Sequence, residues 1–319
     1  MTVLTRAGWM LLAGLLGVSC GGTTPDTQDQ SADGYLGAWD VTVQGKDGDY
    51  PSWFEVTRGP NGTLQGRFVG RVGSARPIAA LEVVEGELRF SLPVQYESHP
   101  TDLSFMGRLE GDAIVGTTNA EDGSTLSWRA VRAPALERSG EPQWGEPIHL
   151  TAGELASLWQ PRHPDLPNNW VLRDGVLENT AKGTDLVTVQ KFGDFKLQTE
   201  FMYPAGSNGG IYLRGRYEVQ IQDDYGKEPS SVFIGGVYGF LTPRVNAGKP
   251  AGEWQTYEIT LVGRTVTIVL NGETIIDRQV IPGITGGALD AHEGEPGPLM
   301  LQGDHGPVSF RNLVVVPAL

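Results

Sequence analysis

The chain has 319 residues, including 44 glycines and 21 prolines, and a formal net charge of −14. Nucleic acids are bound through basic surfaces, so this acidic balance excludes a nucleic-acid partner. The single cysteine excludes an internal disulfide. Short runs of alternating pattern, bounded by turn residues, indicate an all-β protein, and the length predicts two domains.

The first twenty residues have the pattern of a bacterial lipoprotein signal peptide. Arg6 precedes an apolar run that ends in small residues before Cys20. That run is too short to span a bilayer permanently, which predicts export and lipidation of Cys20. An ordinary cleaved secretory signal is the alternative. With residues 21–33 as a flexible tether, the protein would be held at the bacterial cell envelope only by its N-terminal lipid, at the outer membrane if the cell is Gram-negative.

Residues 34–135 read as short strands joined by tight hairpins. This pattern predicts an up-and-down β-barrel-like domain. Trp39 in G-x-W, with Arg129 and Arg132 near the end, resembles the Trp-against-Arg closure of lipocalin-type barrels. His99 is interpreted as a loop histidine. We expect this domain to support the protein or to present substrate.

Residues 136–147 are rich in proline and glycine, which marks a linker. Residues 148–319 then contain one short helical pattern and many strands with hairpin signals, such as Asn271-Gly272. Because nearly all of these strands would pair antiparallel, the sequence predicts a two-sheet jelly-roll β-sandwich.

The stretch 207–222 is unusually polar for a buried strand. Read as one strand with a Gly-Arg break, it has an apolar face of Ile211, Leu213, Tyr217, Val219 and Ile221, and a polar face of Tyr212, Arg214, Glu218, Gln220 and Gln222. A polar row of this kind suits a sugar-binding or acid/base surface. It also suits a strand that faces solvent.

Several motifs of the second domain occur in the order found in one known family. They are D-G-V-L-E at 174–178, F-G-D-F-K-L-Q-T-E-F at 192–201, S-N-G-G-I-Y-L-R at 207–214, Y-E-V-Q-I at 217–221, N-A-G-K-P-A-G-E-W-Q-T-Y-E-I at 246–259, L-N-G at 270–272 and L-Q-G-D-H-G-P-V-S-F-R-N at 301–312. Together they resemble the 3-keto-disaccharide hydrolase family, a likeness that covers about residues 146–317. The resemblance implies a concanavalin-like jelly roll.

The same resemblance implies a hydrolase whose substrate is a 3-keto-glycoside or other oxidised oligosaccharide. A ketone at C3 acidifies the hydrogen at C2, so a base can remove it and expel the group at C1, after which water adds. Such a site needs a base, donors for the enolate oxygen and an acid near the leaving group. Ordinary glycosidases use two paired carboxylates instead.

Candidate residues follow from this chemistry. Arg214 would bind an enolate oxygen or neighbouring hydroxyls, Glu218 on the same face would act as base or bind hydroxyls, and His305 titrates near neutrality. These are the predicted catalytic residues. The predicted substrate-binding residues are Asn208, Gln220, Asp223, Tyr238, Lys249, Trp254, Gln302 and Asp304.

No cofactor is predicted with certainty. A divalent metal stays open, because Glu218, Asp223, Asp304 and His305 could converge, although their spacing matches no tight ligand motif. Two other functions also stay open: a carbohydrate-binding lipoprotein without catalysis, and a scaffold for protein partners. We expect an enzyme to bring Arg214, Glu218 and His305 into one cleft, and a binding protein to scatter them.

Overall fold

The computed structural model describes residues 32–138 and 140–319. The predicted signal peptide, the lipidation of Cys20 and nearly all of the tether lie outside these residues. The structure confirms the all-β fold class, and the helical elements of the described residues are a 3₁₀ turn at Asp33–Tyr35 and a short helix α1 at Leu155–Leu158. None of the helices in the described ranges is long and apolar enough to cross a membrane.

The first β unit is a single sheet of nine antiparallel strands. They are β1 (Gly37–Val43), β2 (Tyr50–Arg58), β3 (Leu64–Val69), β4 (Arg76–Pro77), β5 (Ala80–Val84), β6 (Glu87–Leu92), β7 (Leu103–Glu110), β8 (Ala113–Asn119) and β9 (Thr125–Arg132). The spatial order is β4-β3-β2-β1-β9-β8-β7-β6-β5. Pairing of β1 with β9 curls this up-and-down meander into the predicted barrel-like form around its own aromatic core.

The predicted contact between a tryptophan and an arginine is present at the start of this sheet. The Arg132 guanidinium lies 4.0 Å from the centre of the Trp39 ring, and its Nη2 donates to the Gly34 carbonyl at 2.6 Å. Trp39 Nε1 donates to the Tyr35 carbonyl at 2.8 Å. Arg129 is exposed beside Thr42 on the neighbouring strand. Arg132 alone therefore makes the contact, which fixes the N-terminal segment to the end of β9.

The second β unit is the predicted two-sheet sandwich. Its strands are β10 (Ile148–His149), β11 (Trp159–Pro161), β12 (Trp170–Arg173), β13 (Val176–Asn179), β14 (Leu186–Phe192), β15 (Phe195–Met202), β16 (Asn208–Leu213), β17 (Tyr217–Gln222), β18 (Gln255–Val262), β19 (Thr265–Leu270), β20 (Glu273–Val280), β21 (Gly297–Leu301) and β22 (Ser309–Pro317). One sheet has the order β12-β13-β22-β15-β18-β19-β20, with β10 also paired to β22. The other, the five-stranded sheet, has the order β11-β14-β21-β16-β17.

The stretch 207–222 is a hairpin, so the expectation of one continuous strand was wrong. Strands β16 and β17 pair antiparallel, and Arg214 and Gly215 form the turn with φ of 51° and 68°. Glycine adopts this left-handed conformation without steric cost, which explains why the chain reverses at this point. The turn sets Tyr212 opposite Glu218, so these two side chains still share the predicted polar face, whereas Arg214 leaves it.

The first β unit packs directly on the second. Trp53 and Val69, on the outer face of β2 and β3, belong to the same apolar core as the sandwich. The Trp53 ring meets Phe240 edge-on, with the ring centres 5.3 Å apart. The linker is also attached, because Arg138 forms a 2.7 Å ion pair with Asp194. The predicted domain boundaries stay a prediction, but the two units share a buried interface.

Candidate functional site

One face of the five-stranded sheet carries the candidate site. Its opposite face packs into the sandwich core through residues such as Ile211 and Leu301. The face turned away from that core carries Tyr212 and Glu218, which are cross-strand partners, and Met300, which is paired with Tyr212 on the next strand. We call this surface the site face. It is covered by other segments, so its polar groups are held away from bulk solvent.

Glu218 lies at the centre of the site face and is 3% exposed. Its Oε2 accepts a 2.9 Å hydrogen bond from the Tyr212 hydroxyl, and its backbone N–H donates to Thr285 Oγ1 at 3.0 Å. Burial raises the pKa of this carboxyl to about 8, although the Tyr212 hydroxyl and the charge of His305 act in the opposite direction. A carboxyl that titrates near the working pH can both take up and release a proton during turnover.

Gly210 makes the room that the Glu218 carboxylate occupies. A Cβ on Gly210 would lie 2.4 Å from Glu218 Oε1, so a larger residue there would displace the carboxylate. The motif S-N-G-G therefore does more than form a turn: its second glycine is a strand residue opposite Gln220 that leaves space beside the buried carboxylate.

His305 and Asp304 follow the end of β21 beside the same face. The His305 ring Nδ1 is hydrogen-bonded to Asp304 Oδ1, and both side chains are about half exposed. That hydrogen bond is the main reason that the pKa of His305 is raised, and the negative charges of Glu218 and Asp185 add to it. The structure thus brings His305 into the electrostatic environment of Glu218, with its cationic form favoured.

Three predicted binding residues surround Gly210 with amide groups. Gln220 is its cross-strand partner, and Gln302 donates from its backbone N–H to the Gly210 carbonyl at 3.0 Å. The side-chain oxygens Asn208 Oδ1, Gln220 Oε1 and Gln302 Oε1 are buried and have no hydrogen-bond partner within the described ranges. Buried acceptors normally have partners, so these oxygens are suited to hydroxyl groups of a bound molecule.

Arg162 and Asp185 are site residues that the sequence interpretation missed. Arg162 Nη1 donates to Asp185 Oδ2 at 3.0 Å and to the Gly287 carbonyl at 3.1 Å. Asp185 Oδ1 accepts from the Gly303 N–H at 2.9 Å, directly before Asp304. This pair ties the segment that covers the site face to the loop that carries His305. Both residues stand at strand ends with no motif around them, so no local signal could have found them.

Tyr238 and Asp223 lie near the site in different ways. Tyr238 is half-buried, and burial, the charge of Glu218 and contact with Tyr96 raise its pKa to about 12. It therefore stays protonated as a hydrogen-bond donor. Asp223 Oδ2 accepts from the Gly206 N–H at 2.8 Å and so closes the loop that leads into Asn208.

The structure does not bring Arg214, Lys249 or Trp254 to Glu218. Arg214 is 4% exposed in the hairpin turn and donates to the Gly263 carbonyl at 2.7 Å. Lys249 Nζ donates to the Trp254 carbonyl at 3.0 Å, and the Trp254 ring packs 4.0 Å from the Arg311 guanidinium. These contacts join the two residues to the other sheet. The cleft expected to unite Arg214, Glu218 and His305 therefore contains only the last two.

A metal site is not visible in the described part of the chain, where no three His, Cys, Asp or Glu side chains are arranged to hold an ion. The four residues considered for a metal separate in part. Asp223 follows the end of β17 and is bound to Gly206 in the loop before β16, while Glu218, Asp304 and His305 lie at the site face.

Solved structures are similar to parts of the chain. A candidate glycosyl hydrolase from Parabacteroides distasonis is 29% identical, with a TM-score of 0.45, over 54% of this chain and 84% of that one. The carbohydrate-binding module CBM66 from Bacillus subtilis is 12% identical, with a TM-score of 0.35, over 50% and 96%. A Bacillus licheniformis β-glucanase is 12% identical, with a TM-score of 0.36, over 57% and 100%.

No curated protein matches the chain. The family model described as the 3-keto-alpha-glucoside-1,2-lyase-like domain matches residues 146–316, which include every strand of the site face. The matched range contains all of the motifs quoted from the sequence, from 174–178 to 301–312. The chain belongs to the 3-keto-alpha-glucoside-1,2-lyase-like domain family.

Proposed function

We propose that this glycoside-acting protein cleaves the glycosidic bond of sugars that carry a ketone at C3. The observation that carries the proposal is the position of Glu218, a buried carboxyl with a pKa of about 8. It lies beside His305 and a row of amide oxygens that have no hydrogen-bond partner among the described residues. A buried base with a raised pKa suits proton abstraction at carbon. The two other carboxylates near Glu218 already have partners, because Asp304 is bonded to His305 and Asp185 to Arg162, which disfavours a mechanism with two paired carboxylates around the scissile bond.

The first step would be removal of the C2 proton by ionised Glu218. The electron pair of the C2–H bond forms an enolate with the C3 ketone. The enolate then restores the C3 carbonyl as the bond between C1 and the leaving-group oxygen breaks, which leaves a double bond between C1 and C2. The leaving-group oxygen takes a proton from His305, whose cationic form is favoured by the hydrogen bond to Asp304 that raises its pKa.

Water would complete the reaction. Its oxygen bonds to C1 while one of its protons passes to the neutral His305, and the proton on Glu218 returns to C2, so the net result is hydrolysis of the glycosidic bond. Glu218 and His305 regain their starting protonation states through this step. The C2 proton held by Glu218 is available for return, because burial favours the neutral carboxyl.

Sugar binding would come from the amide row. Asn208, Gln220 and Gln302 each offer a buried side-chain oxygen that lacks a partner within the structure's described ranges. Hydroxyl groups of a sugar can donate hydrogen bonds to these oxygens. An oxygen that receives no hydrogen bond stays buried without a partner, which costs free energy. This arrangement favours a polyhydroxylated ring over an apolar substrate.

The same amide row favours a second candidate, a carbohydrate-binding protein without catalysis. Unpartnered acceptors are enough to bind sugar hydroxyls, and binding alone needs no base. The two functions differ in the use of Glu218. An enzyme loses turnover when its carboxylate becomes an amide, whereas a binding protein keeps its affinity.

Export and lipidation at Cys20 form a further part of the proposal. They would place the site at the bacterial cell envelope, where glycosides from outside the cell are met. Cys20→Ser is expected to abolish lipidation and to release the protein from the membrane fraction. Retention of Cys20→Ser in that fraction would count against the anchor.

The test measures leaving-group release from a 3-keto-glucoside and from the parent glucoside. We expect release only from the oxidised sugar, with Glu218→Gln at least ~100-fold slower. Glu258→Gln, the same change at an exposed position of β18, is the matched control and should keep the wild-type rate. Binding of both sugars without release from either would favour the second candidate.

A further inference from the structure

The first β unit has a cavity of about 590 Å³ at one end of its curled sheet. Four loops surround it, and they follow β1, β3, β6 and β8. Each contributes at least one polar or charged residue: Lys46, Arg71, Tyr96 and Glu121. A cavity of this size can enclose a sugar ring or a small disaccharide. We call it the barrel-end cavity.

Two buried polar atoms of the barrel-end cavity lack partners in the described chain. Thr118 Oγ1 belongs to a side chain that is 5% exposed, and His99 Nδ1 lies on the loop opposite. Thr118 is the cross-strand partner of Phe105, a core residue, so its hydroxyl is on the inner face of the sheet. A buried hydroxyl without a partner costs free energy, which a ligand able to hydrogen-bond would recover.

The remaining lining combines aromatic surface with a cation. Phe68 and Phe105 supply apolar rings, while the Arg71 guanidinium lies 5.4 Å from the centre of the Tyr50 ring. Arg71 is exposed and forms no ion pair with the described carboxylates. Rings for the apolar face of a sugar and donors for its hydroxyls are the features of a carbohydrate site, and several charges in the lining disfavour a lipid.

Contacts connect the barrel-end cavity to the site face. Tyr96, which lines the cavity, interacts with Tyr238. The charge of Glu218 in turn contributes to the raised pKa of Tyr238. A second connection runs through the backbone. The Arg71 carbonyl accepts from the Gly287 N–H at 2.9 Å.

That second connection continues to Tyr212, the residue that is hydrogen-bonded to Glu218. The Gly286 carbonyl, one residue before Gly287, lies 3.0 Å from the Tyr212 hydroxyl that contacts Glu218. A Cβ on Gly286 would lie 2.1 Å from the Gly73 carbonyl, so the loop after β3 is in close contact with the segment that covers the site face. The loop after β3 therefore lines the cavity and also contacts the segment that covers the site face.

We propose that the barrel-end cavity is the leaving-group subsite, which binds the second sugar ring of a 3-keto-disaccharide while its oxidised ring lies on the site face. This inference rests on the proposed function. It assigns to the first β unit a direct role in substrate choice. The groups that bind the second ring are Thr118, His99 and Arg71, with Tyr96 and Tyr238 at the boundary between the two rings.

The test compares kcat/KM for a 3-keto-disaccharide and for methyl 3-keto-glucoside, whose leaving group is too small to fill the cavity. We expect the wild type to prefer the disaccharide. Thr118→Val removes one hydroxyl without changing the shape of the side chain, and should reduce that preference about tenfold, the value of one good hydrogen bond. Arg71→Gln should also reduce the preference for the disaccharide, and this residue lies on a loop outside the sheet.

Thr117→Val is the matched control, because it makes the same change one position earlier, on the outer face of β8. It should keep the wild-type preference. An equal preference in wild type and in both cavity variants would overturn the subsite while leaving the proposed function intact.

Failure of the proposed function has a different signature, namely no release from either substrate by the wild type. In that case calorimetry decides on the cavity. Binding of the unoxidised disaccharide that weakens in Thr118→Val and not in Thr117→Val supports a sugar site at the cavity. Binding that is the same in both variants overturns it.

Discussion

The Tyr212 hydroxyl lies 2.9 Å from Oε2 of Glu218 and 3.0 Å from the carbonyl oxygen of Gly286. A hydroxyl has one proton, so it can donate to only one of these acceptors at a time. It donates to Glu218 when the carboxyl is ionised, and is free to donate to Gly286 when the carboxyl is protonated and can itself donate. Tyr212 therefore provides a partner for both protonation states of the base.

Tyr212→Phe should shift the pH dependence of catalysis. Its hydroxyl lowers the pKa of Glu218, so its loss raises that pKa and leaves less ionised base at a given pH. The rising limb of kcat/KM should move to higher pH. Tyr217→Phe is the control, because that hydroxyl donates to Glu293 at 2.7 Å instead. An unshifted limb in Tyr212→Phe would remove Tyr212 from the account.

Glu218→Gln should change how stability depends on pH. The folded state holds the Glu218 proton up to about pH 8, while the unfolded chain releases it near 4.5. Wild type therefore loses stability as pH rises through this window, by up to about 1.4 kcal/mol per pH unit. Glu218→Gln lacks this loss. Its free energy of unfolding in urea, relative to that of wild type, should therefore rise from pH 5 to pH 8. Parallel curves would contradict the raised pKa.

Asp304→Asn should lower the pKa of His305. The hydrogen bond that the His305 ring donates to Asp304 is the largest cause of the raised pKa, and an amide stabilises the imidazolium far less than a carboxylate. Titration of the His305 ring by NMR measures the change. The basic limb of the activity profile, where the acid loses its proton, should move to lower pH. A His305 titration that is unaltered would show that Asp304 does not support the acid.

Arg214 and Arg162 are expected to affect different properties, namely stability for Arg214 and activity for Arg162. Arg214→Gln removes a donor to the Gly263 carbonyl and should destabilise the fold by about 1.5–3 kcal/mol with kcat/KM unchanged. Arg162→Gln breaks the link between the covering segment and the His305 loop, and should lower kcat/KM. Thermal unfolding and initial rates measure both effects. A large loss of activity in Arg214→Gln at full stability would return that residue to the site.

Part of the site was accessible from the sequence. Alternation of polar and apolar residues placed Tyr212, Glu218 and Gln220 on one face, and the hairpin keeps that arrangement because Leu213 and Tyr217 are paired across its turn. The family motif around His305 placed a histidine near this face. Neither pattern predicted the turn at Arg214, where the backbone takes positive φ and carries the guanidinium away.

Contacts between strand ends that are far apart in the chain could not be predicted from the sequence. Arg162 and Asp185 meet only because β11 and β14 are neighbours in the folded sheet, and sequence spacing carries no trace of that pairing. The packing of Trp53 against the second unit could not be predicted from the sequence either. On β2 it alternates like any strand residue, and only the fold shows that its outward face packs against Phe240 of the second unit.

The most direct test of the account is single-turnover release of the leaving group from a 3-keto-glucoside with hydrogen or deuterium at C2. If Glu218 removes the C2 proton before the leaving group departs, the deuterated substrate must react more slowly in wild type. Equal rates for the two substrates would contradict the account, in which breakage of the C2–H bond limits release of the leaving group.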